Sequence, residues 1–123
     1  MPKSCVYKWL VGTWGLETSV GPVPGGAVVT ARGRVGRLTA PRFAEALDAA
    51  RRQAPRVVVD LEGVDYVSGL GLAALREAAN ASERLIVCGV CEAVRNTLEL
   101  AGLTERIKIE GSRQAAIDGL ADA

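Results

Sequence analysis

Short apolar runs alternate with amphipathic segments along most of this chain, and glycine or proline separates many of them. The run at 57–61 contains three consecutive valines, which is typical of a strand buried on both faces of a parallel sheet. After a glycine-rich stretch, Leu72, Leu75 and Ala79 fall at helical spacing. This change from strand to helix recurs along the chain, so the pattern predicts an α/β protein.

The predicted element order is ββαβαβαβα. Strands are expected at 16–20, 27–31, 57–61, 85–88 and 107–109, and helices after Thr39, at about 70–80, at 92–101 and after Ser112. The breaker run at 21–26 joins the first two strands as a hairpin, and a helix follows every later strand. We therefore predict a mixed, mostly parallel sheet of four to five strands with about four helices.

Three residues are predicted to mark helix ends. Thr39 and Ser112 are expected to cap the N-termini of two helices, because a side-chain oxygen can accept a hydrogen bond from an unpaired backbone N–H. Gly102 is expected in the left-handed conformation that commonly ends a helix.

The composition argues against several classes of function. The 123 residues fit one domain, and a net charge of +1 is not that of a nucleic-acid-binding surface. No apolar segment reaches the roughly 20 residues of a membrane helix, and no secretory signal is recognisable, so we expect a cytoplasmic protein without membrane insertion.

The chain has three cysteines and no histidine, which excludes histidine-based triads and a four-ligand zinc site within one chain. Cys88 and Cys91 form a Cys-x-x-Cys motif between a strand and a helix, where redox pairs occur. No proline follows that motif, and we favour an inert buried Cys88. Asp60 is interpreted as structural. We assign no catalytic residue, metal site or cofactor.

The junction Ser68-Gly69-Leu70-Gly71 is the most informative segment. It starts a helix directly beyond the carboxyl end of a predicted central strand. In open α/β sheets that edge displays chemistry or contacts partners, because unpaired N–H groups and the positive end of the helix dipole face outward there.

Residues 15–123 resemble the STAS domain, leaving residues 1–14 as an N-terminal extension. Three segments carry the resemblance: Val58 to Val67 leading into Gly71-Leu72, Arg34-Val35 to Thr39-Ala40-Pro41, and Gly89-Val90 to Leu103. The first is similar to the family strand that precedes its Asp-Ser-Ser-Gly-Leu signature. The family's helix cap near the third segment is often small and polar, a role open to Cys91.

In the antagonist branch of that family, a partner kinase phosphorylates the second signature serine. An ungapped alignment places Leu70 at this position, and it places Ser68 and Gly36 at two positions where relatives carry acids. A gapped alignment would instead keep Ser68 as a candidate phosphoacceptor. We favour the ungapped alignment, with Ser68 as a helix N-cap. The sequence leaves open whether Leu70 lies on the surface or folds back into the core.

The resemblance implies a non-enzymatic protein-binding module whose partner is an anti-sigma factor or a similar serine-kinase-type regulator. The expected partner-binding residues are Gly36, Arg37, Thr39, Ser68, Gly69, Leu70 and Gly71. Two other roles stay open, namely an accessory subunit of a transporter and a stressosome-type scaffold, and a thiol oxidoreductase is a further alternative. Self-association into a homo-oligomer is compatible with each of these roles.

Overall fold

The computed structural model describes residues 15–121. Its elements are β1 (Leu16–Val23), β2 (Gly26–Val35), α1 (Ala40–Gln53), β3 (Arg56–Val67), α2 (Gly69–Ala81), β4 (Arg84–Cys88), α3 (Glu92–Leu100), a 3₁₀ turn (Leu103–Glu105), β5 (Lys108–Glu110) and α4 (Arg113–Leu120). The predicted fold class and element order are confirmed. The proposed extension, residues 1–14, lies outside the described residues.

The five strands form one mixed sheet in the order β1-β2-β3-β4-β5. β1 runs antiparallel to β2, and the other neighbours are parallel. The hairpin is tighter than predicted, because Val23 pairs with Gly26 and only Pro24 and Gly25 remain in the turn. Pro22 fits within β1 because an edge strand has backbone N–H groups that need no partner in the sheet.

Helices cover the two faces of the sheet unequally. α1, α2 and α3 each connect one parallel strand to the next, so their right-handed crossovers place them on the same face. Their buried side chains, such as Phe43, Leu75 and Leu98, form the larger core with the sheet. Within residues 15–121, α4 is the one helix that packs on the opposite face, where Leu120 joins Val58 in a smaller cluster.

β3 is longer than the sequence predicted, because the segment 62–67 continues the strand instead of forming a loop. Two register shifts occur in its pairing with β2, and each gives β3 one residue more than its partner. The buried positions consequently fall at every third residue, Leu61, Val64 and Val67. The bulges carry the end of β3 beyond its last pair with β4, towards the start of α2.

Two of the predicted helix-end residues are confirmed. The Ser112 hydroxyl accepts a hydrogen bond from the Ala115 backbone N–H at 3.1 Å, at the start of α4. Gly102 has φ +75° and follows Ala101, the C-cap residue of α3. Thr39 differs, because its side chain makes no hydrogen bond to the helix backbone.

Asp60 links the bulged part of β3 to α4. Its buried carboxylate accepts hydrogen bonds from the Glu62 backbone N–H at 3.0 Å and from the Arg113 guanidinium at 3.2 Å. Arg113 also donates to the Thr30 hydroxyl at 3.1 Å. These contacts agree with the structural role predicted for Asp60.

Within residues 15–121, no helix has both the length and the apolar character needed to cross a membrane.

Replacing Asp60 with alanine is expected to lower the free energy of unfolding by about 1–3 kcal/mol, because the Glu62 N–H and Arg113 lose a buried acceptor. The loss stays moderate because Arg113 is 45% exposed and can be hydrated. Asp48→Ala is the matched control, since its ion pair with Arg51 is exposed and should contribute about 0–1 kcal/mol. Urea unfolding measures both, and equal effects would contradict the linking role of Asp60.

Candidate functional site

Two segments predicted to bind a partner lie side by side in the structure. The Ser68 backbone N–H donates to the Val35 carbonyl oxygen at 2.7 Å, which joins the start of α2 to the end of β2. Gly71 allows α2 to pack closely on the strand ends, because a Cβ there would lie 2.6 Å from a methyl carbon of Val35 and 2.9 Å from one of Val67. The loop 36–39 and the first turn of α2 therefore form one surface.

Thr39 stabilises the loop instead of capping α1. Its hydroxyl accepts from the Gly36 N–H at 2.8 Å and donates to the Arg34 carbonyl oxygen at 2.7 Å. Thr39 does occupy the position before the helix, but its side chain makes no hydrogen bond to the helix backbone. The prediction of a side-chain cap was wrong, because the preceding loop uses the same hydroxyl.

The folded loop presents Arg37 and Leu38 to solvent. Arg37 is exposed, and Leu38 is 91% exposed. Leu38 is not among the partner-binding residues predicted from the sequence. The available signal was an apolar residue that belongs to neither neighbouring periodic pattern and follows an arginine in a short loop.

Ser68 is the N-cap of α2, as the sequence predicted. Its backbone is extended, and its side-chain oxygen accepts from the Gly71 N–H at 3.3 Å. The hydroxyl oxygen is thus engaged by the helix that it starts. Gly69, the next residue, is exposed and has open space where a Cβ would stand.

Leu70 lies on the surface, which answers the question that the sequence left open. It is 54% exposed on the first turn of α2. Tyr66, near the end of β3, is 45% exposed, and the Arg34 guanidinium lies 4.9 Å from its ring centroid. Four large apolar side chains are exposed in residues 15–121. Three of them lie on the loop 36–39, near the end of β3 and on the first turn of α2, and the fourth is Leu100.

The two cysteines of the Cys-x-x-Cys motif have different environments. Cys88 is fully buried at the end of β4, and burial, followed by the nearby Asp60 charge, raises the pKa of its thiol from 9.0 to about 12. Cys91 is exposed at the N-cap position of α3, but its sulfur makes no capping hydrogen bond and lies 3.9 Å from the Val64 carbonyl oxygen. The suggestion that Cys91 caps this helix by its side chain was wrong, because its sulfur contacts β3 instead.

Redox chemistry requires a thiolate, and the raised pKa of Cys88 opposes its formation near neutral pH. In the described part of the chain, no three Cys, Asp or Glu side chains converge as metal ligands. The exposed end around Leu38 and Leu70 is therefore the better-supported candidate site.

Replacing Gly71 with alanine should destabilise the protein by about 1–3 kcal/mol, since the new methyl group would overlap Val35 and Val67. The matched control is Gly69→Ala on the same turn, where the space is open and a smaller unfolded-state entropy should give a change of about 0 to +1 kcal/mol. Chemical denaturation distinguishes the two variants. Indistinguishable midpoints would contradict the close packing of α2 on the strand ends.

The Cys88 pKa predicts a pH dependence of stability. In the unfolded chain the thiol ionises near its ordinary pKa of 9.0, whereas in the folded chain it stays neutral up to about pH 12. Its contribution to stability is therefore complete below pH 9 and is lost between pH 9 and about 12. The unfolding free energy of the wild type should fall more steeply over this range than that of Cys88→Ala. Parallel pH profiles would contradict the burial of a neutral thiol.

A family model described as "Mlab, STAS domain" matches residues 21–110. No curated protein sequence matches.

Several solved structures share the fold. An anti-sigma factor antagonist from Mycobacterium paratuberculosis superposes with a TM-score of 0.80 at 24% identity, covering 87% of this chain and 95% of that one. An anti-sigma-factor antagonist (STAS) domain protein from Planctomyces limnophilus gives a TM-score of 0.70 at 18% identity, covering 87% and 98%. The murine Slc26a9 anion transporter gives 0.71 at 13% identity, covering 95% of this chain and 24% of the transporter.

The family model spans well over half of the chain, and the solved structures agree with it in fold. The chain belongs to the STAS domain family.

Proposed function

We propose that this protein is a non-enzymatic, cytoplasmic regulatory module that binds a partner protein as an anti-sigma-factor antagonist does, but without a phosphorylation switch. Leu70 is the observation that carries the proposal. It is 54% exposed on the first turn of α2, at the position that the ungapped alignment gives to the phosphoacceptor. A leucine side chain has no oxygen to phosphorylate.

The exposed apolar residues support a docking role for this end of the molecule. Single exposed leucines are common on protein surfaces, but here Leu38, Tyr66 and Leu70 belong to adjoining segments. Complete burial of one such side chain in a partner contributes about 1.5–3 kcal/mol before the costs of association. A partner that covered Leu38 and Leu70 would gain a hydrophobic anchor at each segment.

Ser68 carries the hydroxyl nearest to Leu70 along the chain, and this hydroxyl is poorly suited to act as a phosphoacceptor. Ser68 caps α2 by accepting from the Gly71 N–H, and loss of such a cap costs a helix about 1 kcal/mol. A kinase would need to draw this residue out of the half-buried junction where its own N–H is bonded to Val35. In the proposed function, the amounts of the two proteins therefore control binding, and phosphorylation does not.

A second role, as an accessory subunit of a transporter, is supported by the similarity to part of the murine Slc26a9 anion transporter. The same surface would then contact a membrane-associated subunit. A stressosome-type scaffold has no observation that favours it specifically. Thiol oxidoreductase activity is the least supported alternative, because Cys88 is buried with its pKa raised to about 12.

The proposed function predicts that serine kinases of the anti-sigma-factor type from the source organism leave the wild-type chain unmodified in the presence of Mg²⁺ and ATP. Leu70→Ser restores a hydroxyl on the exposed turn and should gain one phosphate. Intact-mass spectrometry measures both, and Ser68→Ala is the control for modification at the cap. One phosphate per wild-type chain that disappears in Ser68→Ala would overturn the ungapped alignment and the absence of a switch.

A further inference from the structure

The docking surface is formed by the loop 36–39 and the first turn of α2. It lacks the negative charge that the family resemblance would place there. Gly36 stands at a position where relatives carry an acid, and exposed arginines flank it at Arg34 and Arg37. Arg34 is held over the Tyr66 ring, 4.9 Å from its centroid, so its charge stays beside the apolar residues. In the first turn of α1, Arg42 donates to the Leu16 carbonyl oxygen at 2.9 Å.

The two segments that include the surface, 34–42 and 66–73, contain no carboxylate, and their charged residues are Arg34, Arg37 and Arg42. Neither α1 nor α2 has an acidic residue in its first turn, so the positive end of each helix dipole is not neutralised from within the helix. The carboxylates nearest in sequence are Asp65, before the end of β3, and Glu45, in the second turn of α1. The surface therefore has two exposed leucines within a positive border.

We propose that the partner of this surface is an acidic protein that presents an apolar pocket for Leu38 and Leu70, bordered by Asp or Glu side chains. This inference rests on the proposed function and specifies the chemistry of the partner. Like charges that meet across an interface repel each other, so a partner with a basic face is disfavoured here and one with an acidic face is attracted. Arg37, exposed at the loop tip beside Leu38, is the residue best placed to contact that border.

An anionic membrane shares part of this chemistry, but the surface fits it less well. Electrostatic attachment to membranes uses clusters of about four to eight Lys and Arg residues, often on a long amphipathic helix. Here three arginines are distributed over a strand, a loop and a helix turn, and Arg42 is already hydrogen-bonded to backbone. Two leucines on separate segments also suit two pockets of a folded partner better than a lipid surface.

The test measures the affinity of the wild-type chain for each purified anti-sigma-factor serine kinase and each transporter ATPase subunit of the source organism. Arg37→Glu should weaken binding to the recognised protein by about tenfold or more, and raising the salt concentration should weaken it further. Arg52→Glu is the matched control, because Arg52 is also exposed but lies in the last turn of α1. It should change the affinity less than about twofold.

A second matched pair tests the apolar anchor. Leu38→Ser removes a side chain that is 91% exposed, and Leu100→Ser removes one that is 90% exposed at the far end of α3. Leu38→Ser should weaken binding by about tenfold or more, whereas Leu100→Ser should leave it unchanged. Circular dichroism of the variants verifies that these surface changes leave the fold intact.

The outcomes separate the two proposals. If none of these proteins binds the wild-type chain, the proposed function fails and the inference fails with it. If one binds, but Arg37→Glu and salt have no effect, the inference alone is overturned. Sedimentation with phosphatidylglycerol vesicles, abolished by Arg37→Glu and Leu38→Ser, would assign the surface to anionic membranes and overturn the choice of a protein partner.

Discussion

The first turn of α2 packs so closely on the ends of β2 and β3 that a hydrogen atom is all that fits at Gly71. The hydrogen bond from the Ser68 N–H to the Val35 carbonyl oxygen, 2.7 Å long, fixes the same contact from the backbone. These two features determine where α2 begins relative to the loop that starts α1. Because the turn cannot move inward, the side chain of Leu70 is held at the surface, beside a loop whose tip is equally fixed by Thr39.

The extension of β3 explains how this contact is reached. β4 pairs with β3 only as far as Asp60, and the remaining residues of β3 pair with β2 through two bulges. Each bulge turns two consecutive residues outward and returns the next apolar residue to the core. Asp60 stabilises the start of this irregular part by accepting from the Glu62 N–H and by its ion pair with Arg113. The surface is thus built on a strand end that is bent and anchored, and α4 anchors it from the opposite face.

Much of the fold was predictable because strong local signals agree with the tertiary structure. The apolar faces of the helices, the left-handed Gly102 and the Ser112 cap depend on residues within one or two turns. The end of β3 was not predictable from alternation, because bulges replace the period of two by a period of three. Thr39 was misassigned because its hydroxyl has two local uses, and the geometry of the loop decides between them.

The candidate site was predictable in part. The sequence predicted Ser68 as a helix N-cap and left the exposure of Leu70 open, and the structure shows the cap and shows that Leu70 faces solvent. The exposure of Leu38 and the stacking of Arg34 on Tyr66 depend on how separate segments meet, so single-sequence patterns do not contain them. Both observations extend the candidate site from the tip of α2 to the neighbouring loop and strand end.

In the proposed function, a partner covers the tip of α2 and the adjoining loop of the unphosphorylated chain. Hydrogen–deuterium exchange on the complex with the partner protein isolated from the source organism tests it most directly. Slower exchange is expected for the backbone amides in 34–39 and 66–73, with little change in α4 and β5. Protection confined to α4 and β5, with unchanged exchange at the tip of α2, would contradict it.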